Sequence, residues 1–304
     1  MYYFIANPHS GNGRGYKICR QVERQLGNAC VEYELFLVRE PGEAREIARK
    51  LTEGCKEPRI IVAVGGDGTV NEVLDGICFC GTVTMGYIPS GRGNDLARSL
   101  KMPSSSSRCL KKILYPKYHK MLDYGVISYG EDEIRHRRFA VSAGIGLDAS
   151  VCHSLLHQGV KRLYLGKLNY ILTGLKQFLL ARPVKGYIVL DGVQKVEFNH
   201  IYFISAHIHP YEGGGFRFAP QANYTDGKLT ICVAHHSGKW KLLSFLVNAL
   251  TRRQRKYRGV RNFDCREVSI HTDRPMAVHA DGESCFMQTD VQIRCIQKKL
   301  RMMV

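Results

Sequence analysis

Several features that would settle the class of this chain at once are missing from it. Its eleven cysteines are scattered. The tightest pair, Cys78 and Cys80, is one residue short of the C-x-x-C spacing of redox and zinc sites. That excludes a cysteine cage and leaves small, reduced apolar residues of a cytoplasmic chain. The first eight residues, Met1 to Pro8, lack the basic region and cleavage site of a signal peptide. The most apolar long segment, Leu163 to Ala181, is broken by Lys167, Asn169, Thr173, Lys176 and Gln177, so it is not a membrane span. Its apolar spacing fits one face of a helix. Internal repeats are absent, and Ser104 to Ser107 is the sole low-complexity stretch. Neither G-x-G-x-x-G nor the P-loop pattern occurs, which disfavours the two standard nucleotide folds.

What is present is a globular composition with a strong charge bias. Hydrophobic residues make up 44% and charged residues 23%, which excludes wholesale disorder. The 304 residues are enough for two domains with real cores. Lys and Arg number 44 against 27 Asp and Glu, a net charge of +17. Such a charge implies an acidic partner: nucleic acid, an anionic membrane or a phosphorylated substrate. Six of the charges, Arg252, Arg253, Arg255, Lys256, Arg258 and Arg261, lie between Thr251 and Arg261. Arg135, Arg137 and Arg138 form a second cluster, and Lys298, Lys299 and Arg301 a third.

Through residue 122 the apolar pattern alternates strand and helix. Strands are expected at Tyr2–Asn7, Val31–Val38, Ile60–Val64 and Val83–Ile88, and the helices between them imply a parallel βαβ sheet. A short helix, Leu110 to Tyr115, precedes a change of pattern. Residues 123–304 then read as a mostly antiparallel β sandwich or barrel with helical insertions at about 150–181 and 239–251. Strands are expected at Leu122–Ser128, Phe139–Ala143, Tyr187–Leu190, Val196–Ser205, Lys228–Ala234, Glu267–His271, Met276–Ala280 and Val291–Ile296.

Ile60 to Val64 runs straight into Gly65-Gly66-Asp67-Gly68-Thr69 and a helix start at Val70-Asn71-Glu72. A buried strand, a glycine turn and a helix N-terminus form a phosphate site, because backbone N–H groups approach an anion there and the helix dipole assists. Asp67 suits a Mg²⁺ accompanying the phosphates, although an Asp capping the helix is the plainer alternative. Two more loops, Asn7-Pro8-His9-Ser10-Gly11 and Pro89-Ser90-Gly91-Arg92-Gly93-Asn94-Asp95, should meet it at the same sheet edge.

These three loops in this order resemble the diacylglycerol kinase catalytic domain, and more narrowly the bacterial soluble lipid kinases. The likeness continues through Asp123, Gly213-Gly214-Gly215, Asp226-Gly227 and His279-Ala280-Asp281-Gly282-Glu283. It implies ATP in an interdomain cleft and transfer of its γ-phosphate to a lipid hydroxyl, with diacylglycerol as the expected acceptor. It implies that Asn7, Pro8, His9, Ser10 and Gly11 line the nucleotide, with Gly65 to Glu72 and with Gly91, Arg92, Asn94 and Asp95. Asp281 and Glu283 match the acidic pair at the catalytic position. Asn223, Asp226 and Lys228 match a structural Mg²⁺ site, with Asp123 linking it toward the cleft. Arg92 and Val38 stand where the family often has threonine, and His207 and His209 stand near the expected acceptor pocket.

Asp281-Gly282 is equally the leading signal for a hairpin turn, as at Asp191-Gly192. The pairs His153/His157 and His207/His209 lack a neighbouring third ligand in sequence and read as surface or hydrogen-bonded residues. A peripheral association with anionic membrane follows from the charge and the implied substrate, and a homodimer is admitted. Two alternatives stand beside the lipid kinase. One is a NAD kinase-like nucleotide kinase, which shares the Gly-Gly-Asp-Gly loop. The other is a basic nucleic-acid-binding protein, for which no recognition motif is present.

Overall fold

The computed structural model describes residues 1–150, 176–235, 238–251 and 257–304. Strand and helix alternate from the start: β1 (Tyr2–Ala6), α1 (Arg14–Ala29), β2 (Tyr33–Leu37), α2 (Glu43–Thr52), β3 (Arg59–Gly65), α3 (Asp67–Gly76) and β4 (Val83–Pro89). The short α4 (Asp95–Ser99) and then α5 (Ser106–Leu114) follow. The four strands are parallel in the order β4-β3-β1-β2. Strand β3 is buried on both faces, which is why it reads as an unbroken apolar run. Val62 and Val64 pack with α1 through Cys19, Val22 and Leu26. Ile61 and Ala63 pack with α3 through Val70, Val73 and Leu74. The carboxyl ends of β1, β3 and β4 therefore lie side by side, and their loops converge.

The second half is antiparallel: β5 (His119–Tyr129), β6 (Arg135–Phe139), β7 (Ser142–Gly146), β8 (Val184–Leu190), β9 (Gln194–His207) and β10 (Leu229–His235). Helix α6 (Lys239–Thr251), β11 (Val260–Cys265), β12 (Glu267–Ala280) and β13 (Glu283–Met303) complete it. Both β7 and β8 pair with β9 on one side and β12 on the other, closing a small barrel around an apolar core that includes Ile145, Ile188, Ile204 and Val278. Strand β13 ties the halves together. It is antiparallel to β12 and β5, and at Arg301–Met302 it lies parallel to β4, so the sheet runs unbroken across residue 122.

Two strand expectations change in form. The run 139–143 is not one strand, because the amides of Ala140 and Val141 leave the ladder to bond the Asp281 carboxylate. The runs 267–271 and 276–280 are one strand, β12, with a register break between His271 and Met276. The helix expected at about 150–181 lies mostly outside the described residues; 176–180 are helical. Among the described residues no helix is long and apolar enough to cross a membrane.

Candidate functional site

The three glycine-rich loops meet as closely as main chains can. A Cβ on Gly91 would lie 2.5 Å from the Gly66 Cα, and one on Gly65 would lie 2.4 Å from the Thr69 side chain. At Gly11, where φ is +62°, a Cβ would fall 2.1 Å from the Ser90 carbonyl oxygen. Only glycine permits this crossing, so these residues serve contact between loops as well as exposure of N–H groups. Side chains fasten it further. Ser10 Oγ lies 2.5 Å from Ser90 Oγ, and Asn7 Nδ2 donates to Thr69 Oγ1 at 3.4 Å. His9 N donates to Asn7 Oδ1 at 2.9 Å, and Arg92 donates to Asn12 Oδ1.

Not every residue of these loops faces the same way. Val70 is in the core, and Glu72 accepts from Gly42 N at 3.0 Å, tying α3 to the start of α2. Asn71 is fully buried, with Nδ2 donating to Arg138 O and Asp281 Oδ2 and Oδ1 accepting from Arg137. The side chain of Asn71 thus links the phosphate helix to the acidic turn. Asn94, at φ 49°, holds its own loop through Gly91 O and Tyr87 OH. Asp67 Oδ1 accepts from Leu96 N at 3.4 Å, and Asp95 accepts from Arg98 at 2.6 Å and Gly214 N at 2.7 Å. Burial and then the neighbouring Asp67 push the Asp95 carboxyl up to about 7.

Asp281 and Gly282 form the two-residue hairpin between β12 and β13, both with positive φ. The Asp281 carboxylate turns inward. One oxygen accepts from Ala140 N at 2.6 Å and Asn71 Nδ2 at 3.1 Å, the other from Val141 N and Ser142 N at 2.9 Å each. Burial pushes its pKa up to about 6 against those four donors. Glu283 differs. Its carboxylate makes no hydrogen bond among the described residues and lies over the phosphate loop, 3.3 Å from where a Cβ on Gly68 would be. Burial raises its pKa, opposed by Arg137. Asp281 therefore belongs both to the hairpin turn and to the acidic pair, and Glu283 is the member of that pair whose carboxylate has no hydrogen-bond partner among the described residues.

Beneath the turn lies a buried polar cluster that the sequence did not flag. His279 Nε2 is 3.3 Å from both Asp148 Oδ2 and Glu212 Oε1, and Glu212 Oε2 is 3.5 Å from His207 Nε2. Its members come from β7's end, a glycine turn and β12, far apart in the chain; an acid beside Gly144-Ile145-Gly146 and another beside Gly213-Gly214-Gly215 was the available signal. His207 and His209 are both buried and hydrogen-bonded, the latter to Ser99 Oγ at 2.6 Å with its ring stacked on Tyr224. His153 and His157 lie outside the described residues.

At the far side of the β half, buried Asp123 accepts from Gly227 N and Lys298 N at 2.7 Å each. Asp226 Oδ1 accepts from Lys228 N at 3.0 Å, and Asn223 Oδ1 accepts from Thr225. Burial first, and Asp226 also, raise the Asp123 carboxyl. Oxygen is the donor a hard divalent cation takes, but both Asp123 oxygens and Asp226 Oδ1 are engaged by main-chain N–H groups here.

Residues 1–125 match the diacylglycerol kinase catalytic domain, and residues 140–304 match the YegS C-terminal NAD kinase beta sandwich-like domain. YtlR of Bacillus subtilis (strain 168), named as a proposed lipid kinase, is 26% identical over 288 residues, covering 93% of each chain. A diacylglycerol kinase of Mycobacterium tuberculosis (strain CDC 1551 / Oshkosh) is 25% identical, covering 92% of this chain and 87% of its own. A Bacillus anthracis str. Sterne structure, described as a proposed diacylglycerol kinase, superposes with a TM-score of 0.78 over 99% of this chain and 94% of its own, at 22% identity. That likeness shows the fold.

Proposed function

The chain belongs to the family that joins a diacylglycerol kinase catalytic domain to a YegS-type β sandwich, and from that premise we propose that it transfers the γ-phosphate of ATP to a lipid hydroxyl. Diacylglycerol is the proposed acceptor and phosphatidic acid the product. The observation that carries the reading is the Glu283 carboxylate lying unbonded over Gly68 of the phosphate loop.

The chemistry requires little more than positioning and a base. The loops at Asn7 to Gly11, Gly65 to Thr69 and Gly91 to Asp95 supply N–H groups and the α3 N-terminus for the triphosphate. The acceptor oxygen forms a bond to the γ-phosphorus as the bridging P–O bond to ADP breaks, and the hydroxyl proton passes to Glu283. Asp281 takes the second place in the acidic pair by fixing the turn. Asp226, with the carbonyls of Asn223 and Lys228, would hold a structural Mg²⁺ in the β half, and a Mg²⁺ carried with ATP would supply charge neutralisation at the phosphates.

We place the nucleotide domain at residues 1–122 and the acceptor domain at 123–304. The basic segments, above all Thr251 to Arg261, of which 252–256 lie outside the described residues, suit peripheral cytoplasmic contact with an anionic bilayer, where each Lys or Arg near the surface contributes about 1 kcal/mol. The test of the base is Glu283→Gln. Loss of about 10²- to 10⁴-fold in kcat with ATP affinity retained is expected, and an unchanged kcat would remove Glu283 from the reaction.

A further inference from the structure

His279, between the two halves of the site, is bonded on both ring nitrogens. Gly282 N donates to Nδ1 at 3.1 Å. Nδ1 is therefore an acceptor, and the ring's proton sits on Nε2, facing Asp148 and Glu212 at 3.3 Å each. Hydrogen bonds to two carboxylates favour a charged ring against its burial, but a second proton on Nδ1 would meet the Gly282 N–H head-on. That proton belongs instead on Asp148, whose carboxyl burial pushes up. The same wiring argues against a metal here. One ligand atom each from Asp148, Glu212 and His279 lies within 4.8 Å of the others, but the Nε2 lone pair a metal would need is occupied by the proton.

From Glu212 the connection continues toward the nucleotide loops. Glu212 and Phe216 exchange two main-chain hydrogen bonds of 2.9 Å each, closing a turn over Gly213, Gly214 and Gly215, all with positive φ. At the tip of that turn Gly214 N donates to Asp95 Oδ2 at 2.7 Å. Asp95 begins α4, whose Leu96 N bonds Asp67 of the phosphate loop. On the other side, Gly282 leads directly to Glu283.

We propose that His279 is a positioning residue that couples the phosphate loop to the acidic turn, bonded through Gly282 to the chain bearing Glu283 and through Glu212 and the glycine turn to Asp95 and Asp67. The sequence places this histidine two residues before Asp281, yet its role arises only where β12, the Glu212 turn and the end of β7 meet. A shift of about 1 Å in a reacting group can cost roughly 10²-fold in rate, so holding this register is worth a dedicated buried cluster. The inference rests on the reading of Glu283 as the base.

Two substitutions cut different links. His279→Asn keeps an acceptor near Nδ1 for Gly282 but no longer reaches the carboxylates. His279→Gln can present an N–H near Nε2 but leaves Gly282 without its acceptor. Each, with Glu283→Gln and the double variant H279N/E283Q, is assayed for γ-phosphate transfer from ATP to diacylglycerol in mixed vesicles, with thermal unfolding recorded for all. We expect kcat to fall at least tenfold in both single His279 variants, with KM for ATP within twofold of the parent. We also expect H279N to cost nothing further in the E283Q background, because it acts through Glu283. Should one His279 variant fail to fold, the other carries the test. Normal kcat in the folded variants, or a loss that simply adds to that of E283Q, overturns the coupling. Full activity in E283Q overturns instead the premise about the base.

Discussion

Asp281 shows how one residue satisfies two readings of a sequence. Asp-Gly between two strands signals a hairpin, and Asp191-Gly192 forms one with the same left-handed pair of residues. In both turns the carboxylate reaches across to main-chain amides. Asp191 accepts from Arg266 N and Glu267 N, while Asp281 accepts from Ala140, Val141 and Ser142. The hairpin was legible from two letters; the four donors were not, since they come from residues about 140 to 210 positions away. Asp281→Asn can no longer accept at both oxygens and would turn an N–H toward another N–H. We expect it to lower stability by about 2–3 kcal/mol in urea unfolding, the cost of leaving buried donors unpaired. Glu283→Gln, with no such partners, should unfold like the parent.

Among the elements, α3 carries the phosphate loop at its start and is fixed at its end by a residue from the other half. Arg138 Nη1 donates to the carbonyls of Leu74, Asp75 and Ile77 at the helix C-terminus, at 3.0, 3.2 and 2.5 Å. Arg45 bridges Asp75 at 2.9 Å on the same turn. The strand–glycine–helix sequence makes α3 readable from hydrophobic spacing, whereas in the sequence Arg138 is just one charge of the second basic cluster. Its position on β6 brings it against helix carbonyls, where a cation is favoured by both hydrogen bonding and the dipole. Arg138→Ala should cost about 2 kcal/mol of stability, measured by the urea midpoint, and should reduce hydrogen-exchange protection in the last turn of α3 first. Equal protection along the whole helix would show that the guanidinium does not hold it.

For the molecule as a whole, burial has placed acids and imidazoles where ionisation is opposed. Asp95, pushed to about 7, keeps a proton in the folded state that the unfolded chain releases near pH 4. Its contribution is fully present below the unfolded value and is lost as pH rises through about 7. His209, pushed by burial down to about 3, acts oppositely: it stays neutral when folded, so acid below about 6.5 favours the unfolded chain. Asp95→Asn deletes the first effect alone. The stability of that variant relative to the parent should therefore improve from about pH 4 to about pH 7 and level off above it, and a flat difference across that window would contradict the burial argument.

The net +17 admitted nucleic acid, membrane and phosphorylated substrate alike; the converging loops made a phosphate donor the specific reading, and the domain matches placed the chain among lipid kinases. The alternating pattern through residue 122 and the three loops were legible because they are local. The clamp of Asp148, Glu212 and His279 was not, because its members converge through antiparallel pairing of distant segments. The most direct test of the account incubates the protein and Mg²⁺ with γ-labelled ATP and vesicles carrying diacylglycerol, monoacylglycerol, ceramide, sphingosine or polyprenol, with NAD in a parallel reaction. Label in a lipid, foremost as phosphatidic acid, and none in NAD is the predicted result. Label in NAD with every lipid left unlabelled would contradict it.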